Sequence, residues 1–310
     1  MINRIWVNDV KEISEEKNAP IAAFFDLDGT LLPQPSLERR FFRALRRRGE
    51  IPLRNYFLWL LEAVRLLPQG IRAVMQSNKM YLKGLQSLNE SDAGNDDNFS
   101  AHASGHRAEG QASAPSLRSA SGRMRNNPRW PVPQFFEEAL ERVACHAKLG
   151  HTIVLVSGTP EPLAYAAAQV LQAELANRGA NANVHVCATR LEEIGGRWTG
   201  RILGEAMFGE GKVRAIRKLA EEWKLDLSRC FAYGDSVADA PMLASVGNAI
   251  AVNPSRSLAH AAKKHGWLVL NWQKEEKSTR RVRSLLTAPK RPSKVPLLQS
   301  GKTRNMEPCT

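Results

Sequence analysis

Ile21-Ala22-Ala23-Phe24-Phe25-Asp26-Leu27-Asp28-Gly29-Thr30 opens as an unbroken apolar run and ends in two carboxylates one residue apart, followed by a glycine. An apolar run with no polar alternation reads as a strand buried on both faces, the kind found inside a parallel sheet. In open α/β sheets, ligands gather beyond the carboxyl ends of the strands. Asp26 and Asp28 therefore fall where such a fold builds its site.

Outward from this stretch the same pattern recurs. Short apolar runs at 152–156, 184–188, 230–233, 249–252 and 267–270 read as further strands. Segments 134–149, 161–177, 212–223 and 258–265 carry apolar residues at helical spacing between them. Residues 191–202, around Gly195-Gly196, read as a hairpin. Strands alternating with helices predict an α/β fold, a doubly wound parallel sheet of Rossmann-like form.

The first two strands are separated by far more chain than a strand-to-helix loop needs. Residues 33–88 show three helical patterns split at Pro52 and Pro68, as proline in a helix interior demands, and read as an inserted helical cap. Within it, 55–67 holds Tyr56, Phe57, Trp59, Leu60, Leu61, Val64 and Leu67. That composition is expected to form the cap's own core, with contact to a lipid-like substrate or a membrane surface as the other reading. Residues 89–131, rich in Ser, Ala, Gly, Asn and Asp, read as a disordered insert in which His102 and His106 lack a metal-binding context. Residues 1–20 read as an N-terminal tail, 21–32 with 132–272 as the core, and 273–310 as a basic disordered tail.

Composition excludes several classes. At 43% hydrophobic and 24% charged over 310 residues, the chain is an ordinary globular sequence and neither fibrous nor wholly disordered. The longest apolar run, 56–67, is broken by Glu62 and Arg65 and is too short to span a bilayer, so an integral membrane protein is not expected. The first residues lack the apolar stretch of a secretory signal, and a cytoplasmic location is the expectation. Cys145, Cys187, Cys230 and Cys309 form no C-x-x-C pair and read as free thiols. A net charge of +13, concentrated in Arg39–Arg48 and in the tail, suits anionic partners. The arginines of 39–48 read as a solvated helix face that also attracts an anionic substrate. Neither cluster resembles a folded nucleic-acid reader, so nucleic acid is disfavoured, while peripheral lipid contact stays open.

Three more stretches carry chemistry. Ser157-Gly158-Thr159-Pro160 follows an apolar strand; Thr159 is placed to cap the next helix, and backbone N–H groups there attract an anion. Gly209-Glu210-Gly211-Lys212 puts a lysine at a helix start, where the dipole disfavours a cation unless an anion is near. Gly234-Asp235-Ser236-Val237-Ala238-Asp239 adds two more carboxylates after a strand. Acids gathered at one sheet edge repel unless a proton or a hard cation compensates them, which points to magnesium.

In this order, Asp26-x-Asp28-Gly29-Thr30, Ser157-Gly158-Thr159, Lys212 and Gly234-Asp235-Ser236-x-x-Asp239 resemble the four motifs of the haloacid dehalogenase superfamily. The helical insertion after the first motif, Ala240-Pro241-Met242-Leu243 and Ala251-Val252-Asn253-Pro254 resemble its subfamily IB, the phosphoserine-phosphatase-like branch with a C1-type cap. The resemblance implies a magnesium-dependent phosphomonoesterase that forms an aspartyl-phosphate and acts on a small phosphorylated metabolite. Residue by residue, it implies Asp26 as nucleophile and Asp28 as general acid and base. It implies Ser157, Gly158 and Lys212 on the phosphate. Magnesium would lie on Asp26, the Asp28 backbone carbonyl and Asp235, with Asp239 a ligand or a support.

Phosphoserine phosphatases carry a glutamate nine positions after the nucleophile; Pro35 stands there, and Glu38 is the nearest acid. The resemblance does not extend to that acid, nor to the asparagine that many relatives have at Ala238. A phosphotransferase using the same intermediate, and a basic binding protein without catalysis, are the alternatives. The preferred ester and the oligomeric state are not fixed by the sequence.

Overall fold

The computed structural model describes residues 19–70, 74, 77–87 and 132–272. In chain order its elements are β1 Ala22–Phe25, α1 Leu37–Arg47, α2 Leu53–Leu66, α3 Glu137–Lys148, β2 Thr152–Pro160, α4 Glu161–Asn177, β3 Val184–Thr189, the hairpin β4 Leu191–Ile194 and β5 Arg197–Ile202, α5 Glu210–Trp223, β6 Phe231–Gly234, α6 Ala240–Ala244, β7 Asn248–Val252, α7 Arg256–His265 and β8 Leu268–Leu270. The insert 89–131 with His102 and His106, the tail 273–310 and most of the N-terminal tail lie outside the described residues, as do 71–73, 75–76 and 88 of the third helical pattern.

Six strands form one sheet in the order β3-β2-β1-β6-β7-β8, every neighbouring pair parallel. All six expected strands are present. Their apolar side chains divide by the two-residue period of a strand. Ala23 and Phe25 of β1, with Ile153 and Leu155 of β2, face one core beside Leu140 of α3 and Leu171 of α4. Ala22 and Phe24, with Val154 and Val156, face the other core beside Ile216 of α5, Met242 of α6 and Leu258 of α7. A two-sided core is why these strands read as apolar throughout.

The order places a switch point between β1 and β6. From β1 the chain builds outward through β2 and β3, then returns to lay β6 on the other side of β1 and continues to β8. Phe25 pairs with Tyr233, their rings stack at 4.4 Å, and Asp26 N–H donates to the Tyr233 carbonyl at 2.9 Å. The two acid-bearing loops therefore leave adjacent strands at the same level.

Four expectations need correction. Strand β2 runs on to Pro160, with an irregularity between Ser157 and Pro160, rather than ending at Val156. Thr159 does not cap α4, whose N-cap is Pro160 without a side-chain bond, because the Thr159 hydroxyl is drawn to Asp28. Helix α2 is not the apolar core of the inserted unit: its buried residue is Asn55, and Leu53, Phe57, Leu60, Leu61, Val64 and Leu67 are exposed. Cys187 and Cys230 are free thiols, whereas Cys145 is disulfide-bonded, against the free-thiol expectation.

The hairpin ties to the inserted segment. Trp198 N–H donates to the Leu85 carbonyl at 3.0 Å, Gly84 N–H to the Trp198 carbonyl at 2.7 Å and Ser87 N–H to the Gly196 carbonyl at 2.8 Å. The Trp198 ring is buried edge-on to Phe41 of α1. Segment 84–87 thus extends the hairpin by backbone pairing and holds it against α1.

Candidate active site

The loop after β1 presents Asp26 and Asp28 beyond the strand end, and a glycine makes their neighbourhood with β6 fit. Gly29 has φ +96°, and a Cβ on it would lie 2.1 Å from Asp235 Oδ2. Only glycine combines that backbone with so close a carboxylate. Asp26, Asp235 and Asp239 each offer an oxygen within 4.8 Å of the others, an arrangement that could hold a metal ion.

Lys212 enters this cluster from α5. The helix begins at Glu210 behind the N-cap Gly209, so Lys212 sits in its first turn and is buried. Its Nζ donates to Asp26 Oδ1 and to Asp239 Oδ1, both at 2.6 Å. Asp239 Oδ2 accepts from Ser236 N–H at 3.1 Å and Ser236 Oγ at 2.7 Å, closing a capping box that fixes the second acid of the last motif. Asp26 Oδ2 accepts from Thr30 Oγ1 at 3.3 Å.

The charge balance is unequal, with three carboxylates around one ammonium. Burial raises the Asp26 carboxyl above the ordinary range against the opposing pull of Lys212, and repulsion from Asp239 adds to the rise. Asp235 is raised likewise by burial, then by Asp26 and Asp239. Burial alone would lower Lys212, but Asp239 and Asp26 more than reverse that, so it stays charged. The two directions agree once the count is made: one ammonium cannot satisfy three acids, and the surplus negative charge suits a hard cation.

Asp28 is held separately. Its Oδ1 accepts from Leu37 N–H at 2.6 Å, its Oδ2 from Thr159 Oγ1 at 2.5 Å, and its carbonyl from Gln34 Nε2 at 3.5 Å. Burial raises its carboxyl, opposed by the Thr159 and Leu37 bonds. The Thr159 bond also brings the segment with Ser157 and Gly158 to the first loop. Ser157 is buried, its Oγ accepting from Thr159 N–H at 3.2 Å. Gly158 lies under the Phe208 ring, whose Cζ is 2.0 Å from where a Cβ would stand.

Sequence reasoning missed the roles of four side chains around this site. Thr159 was legible as a motif member, though not as the partner of Asp28. Phe208, just before the Gly209-x-Gly211-Lys212 run, gave no signal that its ring covers Gly158. Lys79 and Tyr81 both bind Glu38: Nζ donates at 2.6 and 2.7 Å and the Tyr81 hydroxyl at 2.8 Å. These partners lie 41 and 43 residues from Glu38, beyond any local pattern.

The haloacid dehalogenase-like hydrolase family model matches residues 105–244, which take in the second to fourth motifs and leave the first outside. A probable phosphatase of Mycobacterium tuberculosis is 37% identical over 143 residues, covering 46% of this chain and 46% of that protein. A phosphoserine phosphatase of the same organism is 36% identical over 140 residues, covering 45% of this chain and 42% of that one. The chain thus spans less than half the length of these curated relatives. A crystal structure of a Bordetella pertussis protein of unknown function aligns with a TM-score of 0.53 at 25% identity, covering 82% of this chain and 99% of that one. With its parallel sheet and its four motif segments at one sheet edge, the chain resembles the haloacid dehalogenase-like hydrolases, whose family model it matches over residues 105–244.

Proposed function

We propose that the chain is a magnesium-dependent phosphomonoesterase acting on a small phosphate ester through an aspartyl-phosphate at Asp26. One observation carries this reading: Lys212 Nζ meets both Asp26 and Asp239 at 2.6 Å, where the loops of β1 and β6 leave the sheet switch point. The donor set fits magnesium, because it is all oxygen, partly buried and over-supplied with negative charge. Asp26, the Asp28 carbonyl and Asp235 would hold the ion, with Asp239 as support since both its oxygens are engaged. The ion would neutralise a nucleophile and a phosphate that otherwise repel.

The steps belong to this chain's side chains. An Asp26 carboxylate oxygen attacks phosphorus, and the bond from phosphorus to the ester oxygen breaks. Asp28, kept protonatable by burial, gives its proton to the departing alcohol oxygen. It then takes a proton from a water whose oxygen attacks the phosphorus of the aspartyl-phosphate, releasing inorganic phosphate and freeing Asp26. Thr159 and the Leu37 N–H orient Asp28 through both steps. Lys212, Ser157 and the Gly158 N–H bind the phosphoryl oxygens as their charge grows.

Glu38 does not suit recognition of a substrate ammonium, since Lys79 and Tyr81 already bind its carboxylate. The substrate is therefore proposed as a phosphate ester other than phosphoserine. Phosphate release from a panel containing phosphoserine, histidinol phosphate, sugar phosphates and a lysophospholipid, with and without magnesium, tests the reading against Asp26→Asn in parallel. Magnesium-dependent release by wild type alone supports it, and no release from any ester overturns it for that panel. A phosphorylated alcohol product with little free phosphate would assign transfer in place of hydrolysis.

A further inference from the structure

Helix α2 is amphipathic in the inverted sense. At about 100° per residue, Leu53, Phe57, Leu60, Leu61, Val64 and Leu67 fall on one stripe about 120° wide, and Asn55 falls opposite it. The structure turns Asn55 inward, where Nδ2 donates to the Tyr81 carbonyl at 3.1 Å and the Lys83 carbonyl at 2.7 Å. The stripe faces solvent, with Leu53 79%, Phe57 70%, Leu61 66% and Val64 63% exposed. A soluble surface rarely leaves so large a contiguous apolar face without a use.

Charge selects the occupant. Arg54 and Arg65 are exposed beside the stripe, about 100° and 120° round from Leu53. The one acid of the helix, Glu62, is half-buried and meets Arg65 at 3.4 Å, a surface pair of small worth. A short turn earlier, α1 exposes Arg39, Arg43, Arg46 and Arg47. An apolar stripe that includes an aromatic ring, edged by arginines, is the pattern of a helix lying in a membrane interface. A second copy fits less well, because a two-fold antiparallel pairing of α2 sets the Arg54 and Arg65 edge against itself. No helix among the described residues is long and apolar enough to cross a membrane, so the contact is peripheral.

We infer that α2 is a docking face for an anionic lipid bilayer, its stripe entering the headgroup boundary while neighbouring arginines engage lipid phosphates. The inference stands apart from the reaction proposed above, since no α2 stripe residue belongs to the catalytic cluster.

The test is flotation of the full chain with vesicles of phosphatidylcholine alone and of phosphatidylcholine with phosphatidylglycerol in equal parts. Wild type is expected on the anionic vesicles, with binding weakened by salt. The double substitution Leu60→Glu with Val64→Glu is expected to lower the bound fraction at least about tenfold. These side chains are exposed, so thermal unfolding should be unchanged, and Arg54→Glu with Arg65→Glu should weaken binding independently. Absence of vesicle binding overturns the inference. So does binding that the double substitution leaves intact, which would move the contact to another basic segment. A dimer that this substitution dissolves, without vesicle binding, would assign the face to a second copy instead.

Discussion

Lys212 Nζ lies 2.6 Å from Asp26 Oδ1 although 186 residues separate them, and the same ammonium reaches Asp239 at 2.6 Å. Removing it leaves buried carboxylates without their cation. Lys212→Met is expected to lower kcat by about 10²–10³-fold, the usual cost of losing one preorganised donor to a developing charge. It should also destabilise the fold by about 3–5 kcal/mol at alkaline pH and by less in mild acid, where the stranded acids take up protons. Steady-state kinetics and urea unfolding at two pH values check both statements; an unchanged kcat contradicts the role.

Metal and pH are linked through the surplus acids. Burial and mutual repulsion raise Asp26 from 3.8 to about 7 and Asp235 to about 8 in the metal-free chain. A carboxyl raised in the folded state binds more protons folded than unfolded, so metal-free stability is highest below the unfolded value and falls as pH rises through that window. Magnesium bound at this cluster would replace the missing protons. Its addition should raise the melting temperature more at pH 8 than at pH 6, with chelator reversing the gain. A shift that shrinks as pH rises would contradict this cation site.

Acid acts on a different group. His146 is buried, bonded to the Tyr233 hydroxyl at 2.7 Å and to His151 Nδ1 at 2.8 Å. Burial, then His151 and Arg142, lowers it from 6.5 to about 3. A histidine lowered in the folded state stabilises above its unfolded value, and that stability is lost as pH falls from about 6.5 toward about 3. The loss should reach about 2 kcal/mol at pH 5. His146→Gln should flatten the dependence between pH 7 and pH 5 in urea unfolding; an equal slope contradicts the assignment.

Phe208 and Gly158 form a close pair that a double substitution can read. A Cβ at position 158 would lie 2.0 Å from the ring, so Gly158→Ala must displace Phe208 or bend the strand end that carries Ser157. Gly158→Ala is expected to lose about tenfold or more in kcat/KM, as a misplacement near 1 Å at a binding group does. Adding Phe208→Ala should recover part of that loss by opening the space. Purely additive losses would place the fault in the backbone and not in the ring.

Much of the sheet was legible because its strands are buried on both faces. Phe24 and Phe25 point to opposite cores, so no polar residue interrupts the run, and the same holds for Ile153 to Val156. The acid-bearing loops were legible because strand ends are where such a sheet gathers ligands. Orientation was not. The Thr159 hydroxyl suits a helix cap as well as it suits Asp28, and the carboxylate across the loop decides. Helix α2 misled for a related reason: its apolar residues predict burial, but Asn55 satisfies two backbone carbonyls and fixes which side faces inward. The Glu38, Lys79 and Tyr81 cluster depends on contacts between distant segments, which leave no trace in spacing.

The central claim is that Asp26 carries the phosphoryl group. Turnover of p-nitrophenyl phosphate in magnesium, quenched with acid and reduced with borohydride, converts an acyl phosphate at an aspartate into homoserine. Mass spectrometry of the peptide containing Asp26 should find homoserine at that position and unmodified aspartate at Asp28, Asp235 and Asp239. Phosphate release accompanied by an unmodified Asp26 peptide, or by homoserine at another aspartate, would contradict it.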